Sequence, residues 1–191
     1  FKKRTLVHFA IDQHNISMTT ELNWGKTKFR PYNQGRNDGA GNPDNKPYRT
    51  SYLWEKIWQK DIWLDIFKNF IHIETEDPVD GLIPTTEHLI FPRYHQLDCV
   101  LELVDASKKN GPGKNYLVQH STGSGKSNSI GWLAFKLFSL HNEQNDSIFD
   151  SVIVLSDRIG IVGQLQNTIS QFEQTSGVVE SIEESKSLEN L

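Results

Sequence analysis

Cysteine is nearly absent from the sequence, and long hydrophobic runs and an excess of basic residues are missing altogether. The single cysteine, Cys99, excludes an internal disulfide and fits a reducing compartment, so we expect a cytoplasmic protein. No apolar run approaches the roughly 20 residues that a membrane-spanning helix requires. The formal net charge of −4 gives no overall basic surface for nucleic acid, so any DNA contact requires a local patch.

A metal centre built on histidine and cysteine is not favoured either. His95 and Cys99 stand four residues apart on a predicted helix, a spacing that could place two ligands on one face. A structural zinc site needs four ligands, and no second pair accompanies these two. We therefore interpret Cys99 as a buried thiol beside a partly exposed histidine.

Apolar and aromatic residues, by contrast, are plentiful. Hydrophobic residues make up 36% of the 191 residues, with ten Phe, five Trp and five Tyr among them. This composition predicts a packed core for one good-sized domain or two partial ones. The chain begins at Phe1 rather than at a methionine, so we expect it to be a piece of a longer protein.

The N-terminal third predicts a hairpin, a long loop and helices. Residues 6–20 have the pattern of two short strands joined by a polar turn at residues 12–15, and residues 23–49 are rich in Gly, Asn and Pro. Residues 52–73 carry apolar side chains near helical spacing, which predicts one or two helices. The apolar stripe consists of Leu53, Ile57, Leu64, Phe67 and Ile71. Three tryptophans accompany this stripe, and we interpret them as core packing: Trp54, Trp58 and Trp63.

The rest of the chain predicts an alternation of helices and strands. The acidic segment 74–84 contains Pro and Gly and is the best candidate for a domain boundary. A helical stripe follows, formed by Tyr94, Leu97, Leu101 and Val104. The elements after it are, in order, a buried strand at residues 115–119, a helix at 126–141, a second strand at 151–155 and a helix at 159–172. This order predicts an α/β fold with a parallel sheet and right-handed crossovers.

A glycine-rich loop lies between the first of these strands and its helix. In the sequence QHSTGSGKS, Gly125, Lys126 and Ser127 fit the phosphate-loop pattern Gly-x-x-x-x-Gly-Lys-Ser/Thr. Glycines allow backbone N–H groups to converge on phosphates at a helix N-terminus. Lys126 would reach the β- and γ-phosphates, and Ser127 would offer its hydroxyl to Mg²⁺. The departure from the general pattern is His120, which stands where Gly or Ala is usual.

Two further segments bear on the kind of nucleotide-using protein. Gln96, in FPRYHQLDCV, lies 30 residues before Lys126, and its amide can both donate to and accept from adenine. The segment VIVLSDRIGIVGQL places Asp157 and Arg158 after a predicted strand, with Gln164 in the helix that follows. Such residues lie at the carboxyl edge of the sheet, where open α/β folds bind ligands.

Together these three segments resemble the superfamily 2 helicases and translocases, and most closely the R (motor) subunit of type I restriction enzymes. In that branch a histidine commonly precedes the loop, so His120 agrees with it. FPRYHQLDCV is similar to its adenine-recognition motif, and DRIGIVGQL to its second motor motif, with Ile161 where Leu is commoner. Upstream, RTLVHFAIDQHNISMTTEL and YRTSYLWEKIW are similar to the passage from the nuclease domain into the motor.

The resemblance implies a fold, a division into domains and a set of site residues. Residues 1–75 would be the end of a PD-(D/E)xK-type α/β nuclease domain with connecting helices. Residues 76–191 would be the N-terminal part of the first RecA-like motor lobe. The implied nucleotide-binding residues are Arg93, Gln96, Thr122, Gly123, Ser124, Gly125, Lys126 and Ser127, with Lys126 as the catalytic cation and Ser127 as the metal ligand. The implied DNA-binding residues are Asp157, Arg158 and Gln164.

The resemblance also implies an activity and partners. The subunit would use ATP and Mg²⁺ to translocate double-stranded DNA and would cleave it, together with methyltransferase and specificity subunits. The nuclease carboxylates and lysine are expected before Phe1, and the Asp-Glu Walker B motif and the second lobe after Leu191. We therefore expect this piece alone to be inactive in hydrolysis and cleavage.

Three other functions remain open from the residues. Another superfamily 2 helicase would share the motor motifs without the N-terminal run. A small-molecule or nucleotide kinase would need acceptor and lid residues and would have no use for Gln96. In a non-enzymatic interaction module, Lys126 would be incidental.

Overall fold

The computed structural model describes residues 5–36, 39–44, 47–76 and 86–156, together with Ile169. Over these ranges the fold is mixed α/β, with two small antiparallel sheets and three α-helices. No helix in the described ranges is both long and apolar enough to cross a membrane. The predicted helix at residues 159–172 lies, apart from Ile169, outside these ranges.

The predicted N-terminal hairpin is confirmed. Strands β1 (His8–Ile11) and β2 (Ile16–Thr19) pair antiparallel, and a two-residue strand, β3 (Arg30–Pro31), adds to β2. The turn between β1 and β2 is fixed by Asp12, whose Oδ1 accepts from the backbone N–H groups of His14 and Asn15 at 2.6 and 2.8 Å. These bonds to the carboxylate hold the pKa of Asp12 below its usual range.

In its described parts, residues 23–36, 39–44 and 47–49, the long loop is irregular as predicted, apart from β3 and a 3₁₀ turn at Trp24–Lys26. Its centre is Asn42, which is 2% exposed. The Asn42 amide donates to His14 O and Asn33 Oδ1 at 2.9 and 3.0 Å and accepts from the N–H of Gln34 at 2.8 Å. One buried side chain thus joins two parts of the loop to each other and to the turn between β1 and β2.

Residues 52–73 form two helical segments, but the predicted buried face is only partly right. A π-helical turn (Leu53–Ile57) is followed by α1 (Lys60–Asn69), and Gln59 between them has an extended backbone with ψ 142°. Leu53 and Ile57 are buried as predicted. Because the break resets the helical phase, Ile66 of α1 and Phe70, which directly follows this helix, are buried in place of the later predicted positions. The exposed members of the predicted apolar set are Leu64, Phe67, Trp54 and Trp58. Trp63 packs against the core as predicted.

Strands β4 (His72–Glu76) and β5 (Thr86–Ile90) form an antiparallel pair. The predicted boundary segment therefore begins within β4, and its residues 77–84 lie outside the described ranges. Helix α2 (Tyr94–Asn110) follows and confirms the predicted stripe, since Tyr94 and Leu97 are buried. Helix α3 (Lys126–Phe138) confirms the helix after the glycine-rich loop and ends three residues earlier than expected.

Helix α3 packs on α2 and on α1. Trp132 of α3 is fully buried, with its ring 5.4 Å from that of Phe70. Lys136 of α3 donates to both carboxylate oxygens of Asp65 in α1, at 2.7 and 2.8 Å. The helix that follows the phosphate-loop pattern is thereby fixed against the upstream part of the chain.

The two predicted buried strands are wrong in the described structure. Residues 115–119 and 151–155 have no regular secondary structure, and Leu117 and Leu155 are about nine-tenths exposed. A parallel strand is stable only with hydrogen-bonded neighbours and covered faces. No described residue pairs with either segment as a ladder, so the predicted parallel sheet is not formed within the described ranges.

The core contains an aromatic cluster centred on Tyr32. Its ring meets those of Phe9 and Tyr94 edge to face, at centroid distances of 5.4 and 6.0 Å. The Tyr32 hydroxyl is buried and has no hydrogen-bond partner among the described residues, and this burial raises its pKa. The Tyr52 hydroxyl, in contrast, donates to the backbone carbonyl of Tyr32 at 2.5 Å.

These two tyrosines give a matched test of the core. Tyr32→Phe should leave the free energy of unfolding unchanged or raise it, because it removes a buried hydroxyl that no described residue hydrogen-bonds. Tyr52→Phe should lower that free energy by about 1 kcal/mol, the net value of one hydrogen bond. Urea unfolding followed by circular dichroism measures both. If Tyr32→Phe lowered the free energy of unfolding as much as Tyr52→Phe does, the Tyr32 hydroxyl would have to make a stabilising hydrogen bond, contrary to the structure.

Candidate nucleotide-binding site

The glycine-rich loop turns directly into the N-terminus of α3. Gly123 and Gly125 both have positive φ, 74° and 79°, and Gly125 is the N-cap residue of the helix in a left-handed conformation. Only glycine adopts this backbone without a steric cost. The two glycines therefore allow the loop to fold back over the first turn of α3, where backbone N–H groups lack helical acceptors.

Side chains from the first turn of α2 contact the carbonyl oxygens of this loop. His95 Nε2 lies 3.0 Å from the carbonyl oxygen of Ser124, and Gln96 Nε2 donates to the carbonyl oxygen of Gly125 at 2.8 Å. Gln96 is itself fixed, because its Oε1 accepts from the backbone N–H of Arg93 at 2.9 Å. A Cβ atom at position 125 would collide with the Gln96 amide nitrogen, so a side chain there would displace Gln96 from the loop.

Lys126 lies across the opening of the loop. Its ammonium group donates to the carbonyl oxygens of Ser121 and His120, at 2.9 and 3.3 Å. The side chain is exposed, and these are neutral acceptors. An anion placed at the loop would offer the ammonium group stronger, charge-assisted hydrogen bonds.

The next residue, Ser127, is half-buried in the first turn of α3. No side chain or carbonyl of the described residues bonds its hydroxyl. The hydroxyl oxygen is thus available as a hard ligand of the kind that Mg²⁺ prefers.

Two histidines line the loop. The rings of His95 and His120 meet at nearly a right angle, with centroids 5.0 Å apart. Burial of the imidazole, and then the nearby His95 ring and Lys126 ammonium group, lower the pKa of His120. His120 is therefore neutral at pH 7 and adds no charge to the loop.

An open cleft of about 420 Å³ borders the loop. It is lined by Arg93, His95, Gln119, His120, Ser121, Thr122, Gly123 and Ser124. Arg93 has no ion pair with any described residue, and burial together with nearby Arg30 lowers its pKa. A guanidinium without a carboxylate partner on the cleft wall favours an anionic ligand.

The structure brings together most of the site residues predicted from sequence. Arg93 and Gln96 lie in or next to the first turn of α2, opposite the loop residues and the first turn of α3. The Gln96 side chain is only 4% exposed and faces the loop, so its predicted adenine contact stays a prediction. Asp157, Arg158 and Gln164 lie outside the described residues.

Sequence reasoning missed His95 as a loop contact. It considered this residue only as a metal partner of Cys99, and the described residues contain no group of three or more metal-ligating side chains. Cys99 is half-buried, and burial raises the pKa of its thiol. No sequence signal identifies this contact, because the partner of His95 is a backbone carbonyl.

Comparison with known proteins identifies the chain's family. A family model described as "Type III restriction enzyme, res subunit" matches residues 89–190, just over half of the chain. The match begins in β5 and includes α2, the loop and α3. No curated protein and no solved structure matches the chain. The chain belongs to the family of the type III restriction enzyme res subunit, and it is a helicase-like component of an ATP-dependent restriction enzyme.

Proposed function

We propose that this chain binds ATP with Mg²⁺ at the loop formed by residues 121–127. The observation that carries the proposal is the loop geometry: two left-handed glycines at the N-terminus of α3, with the Lys126 ammonium group across the opening. Backbone N–H groups at a helix N-terminus, together with a lysine, form a site for a polyphosphate. Membership of a helicase-like family supports the proposal that this polyphosphate is the triphosphate of ATP.

Each site residue has a distinct role in this proposal. Lys126 exchanges its two carbonyl acceptors for β- and γ-phosphate oxygens and offsets their charge. The Ser127 hydroxyl coordinates Mg²⁺, which supplies charge neutralisation between the phosphates. Arg93 adds a cation from the wall of the cleft. Thr122, Gly123, Ser124 and Gly125 contribute the curvature of the loop and its backbone donors.

We further propose that the whole protein is the R subunit of a type I restriction enzyme, which moves double-stranded DNA and cleaves it. Support comes from the upstream sequences that resemble this subunit, in which the β1–β2 hairpin follows the nuclease residues. Asp157, Arg158 and Gln164 would contact DNA, and methyltransferase and specificity subunits would be the partners. The division at residues 75 and 76 belongs to this proposal.

The second candidate is another superfamily 2 helicase, for which the family match is equally suitable. A kinase is disfavoured because the family model that matches the chain is that of a restriction-enzyme subunit. The flanking reading frame separates the two helicase candidates. A Glu-x-Lys motif before Phe1 would favour the type I subunit, and its absence from the whole protein would count against it.

Lys126→Ala should weaken the binding of a non-hydrolysable ATP analogue by at least about tenfold. The variant removes charge-assisted hydrogen bonds, which are worth about 1.5–3 kcal/mol. Isothermal titration of the protein with the Mg²⁺ complex of the analogue measures the loss. Lys114→Ala is the matched control, since Lys114 is exposed and does not line the cleft. Equal affinity of the Lys126→Ala variant and the unaltered protein would refute the nucleotide site.

Gln96→Ala should weaken the binding of the ATP analogue more than the binding of inorganic tripolyphosphate. Both ligands lose the support that Gln96 gives to the loop, but only the nucleotide loses an adenine contact, worth roughly 0.5–1.5 kcal/mol for each hydrogen bond. Paired titrations of the variant and the unaltered protein give the two ratios. If the affinities of both ligands fall by the same factor, Gln96 acts only through its contact with the loop.

A further inference from the structure

Two consecutive side chains of α2 hold two consecutive carbonyl groups of the phosphate loop. His95 contacts the carbonyl oxygen of Ser124, and Gln96 that of Gly125, at 3.0 and 2.8 Å. We call this pair of contacts the carbonyl clamp. Gln96 was expected from sequence to contact the nucleotide, whereas nothing in the sequence assigns a role at the loop to His95.

Fixing a carbonyl group also fixes the N–H group of the same peptide unit. The peptide is planar and trans, so its N–H points away from its C=O. The carbonyl of Ser124 shares a peptide with the N–H of Gly125, and the carbonyl of Gly125 with the N–H of Lys126. Because His95 and Gln96 draw these oxygens toward α2, both N–H groups are directed away from it.

Both of these N–H groups are available for a ligand. Neither the N–H of Gly125 nor that of Lys126 donates to any acceptor in the described residues. The N–H of Lys126 belongs to the first turn of α3, where donors have no helical partner. Two adjacent donors with a common direction are what a phosphate group at a helix N-terminus requires.

The His95 ring is held in place for this contact. Its side chain is half-buried and packs edge to face against His120, whose own imidazole is neutral. The oxygen of Ser124 can only accept, so the contact requires a proton on His95 Nε2. In a neutral imidazole this defines a single tautomer.

We propose that His95 is a positioning residue of the phosphate loop: as a donor through Nε2, it directs the N–H of Gly125 toward the polyphosphate. This role rests on the proposed function, in which the loop binds a nucleoside triphosphate. His95 touches no phosphate and acts through the peptide that it holds. Its effect is therefore the same for every ligand with a triphosphate chain, whatever the base.

The test compares variants of His95 in the intact protein. His95→Phe keeps a ring against His120 and removes the donor, whereas His95→Gln restores an N–H donor of similar reach. The ligands are inorganic tripolyphosphate and a non-hydrolysable ATP analogue, each with Mg²⁺, in isothermal titrations. His88→Phe is the control, because His88 is exposed on β5 and does not line the cleft.

We expect His95→Phe to weaken both ligands by the same factor, about three- to tenfold, as for the loss of one hydrogen bond. His95→Gln should recover most of the affinity for both ligands, and His88→Phe should change the affinity for neither ligand. Unchanged tripolyphosphate affinity in His95→Phe would overturn the proposal. So would a loss confined to the ATP analogue, or a failure of His95→Gln to recover any affinity.

A measurement without nucleotide separates this proposal from the proposed function. The ¹⁵N spectrum of the imidazoles in the unaltered protein should show His95 with its proton on Nε2, and this remains decisive if His95→Phe does not fold. A proton on Nδ1 alone would overturn the carbonyl clamp even where ATP binds. Failure of the unaltered protein to bind either ligand would instead overturn the proposed function, even with His95 in the expected tautomer.

Discussion

The site depends on the contact between the first turn of α2 and the carbonyl groups of the phosphate loop. A loop that presents N–H groups to an anion must turn its carbonyls the other way, and those carbonyls need donors. His95 and Gln96 supply two of these donors. The Gln96 amide is held in position because its Oε1 accepts from the backbone N–H of Arg93. The loop is therefore shaped by a helix that precedes it in the chain rather than by its glycines alone.

A second set of contacts connects the loop to the upstream part of the chain. Lys136 and Asp65 join α3 to α1 through an ion pair whose side chains are 14% and 22% exposed, and Trp132 packs on Phe70 beside it. A largely buried ion pair is a weak source of net stability, but it penalises any other register of the two helices. The start of α3, and with it Lys126, thus has a defined position relative to residues 60–70.

Much of this arrangement could be predicted from local pattern. The hairpin, α2, α3 and the glycine-rich loop each have a signal within a few residues, namely strand alternation, helical spacing and a phosphate-binding motif. The buried face of α1 could not be predicted, because it depends on the break at Gln59 and a shift of one residue rotates a helix face by about 100°. His95 could not be assigned either, since its partner is a backbone carbonyl, which has no sequence signature.

The failed strand predictions have a different cause. Residues 115–119 and 151–155 have the apolar composition of buried parallel strands, yet their side chains are largely exposed in the described structure. The composition of a segment indicates whether its side chains can be buried. A strand also needs a neighbouring strand to accept its backbone hydrogen bonds. The loop and the first turns of α2 and α3 meet without such a sheet, because their contacts are side chain to carbonyl and helix to helix. Within the described residues, the geometry that favours a polyphosphate is thus local to three adjoining segments.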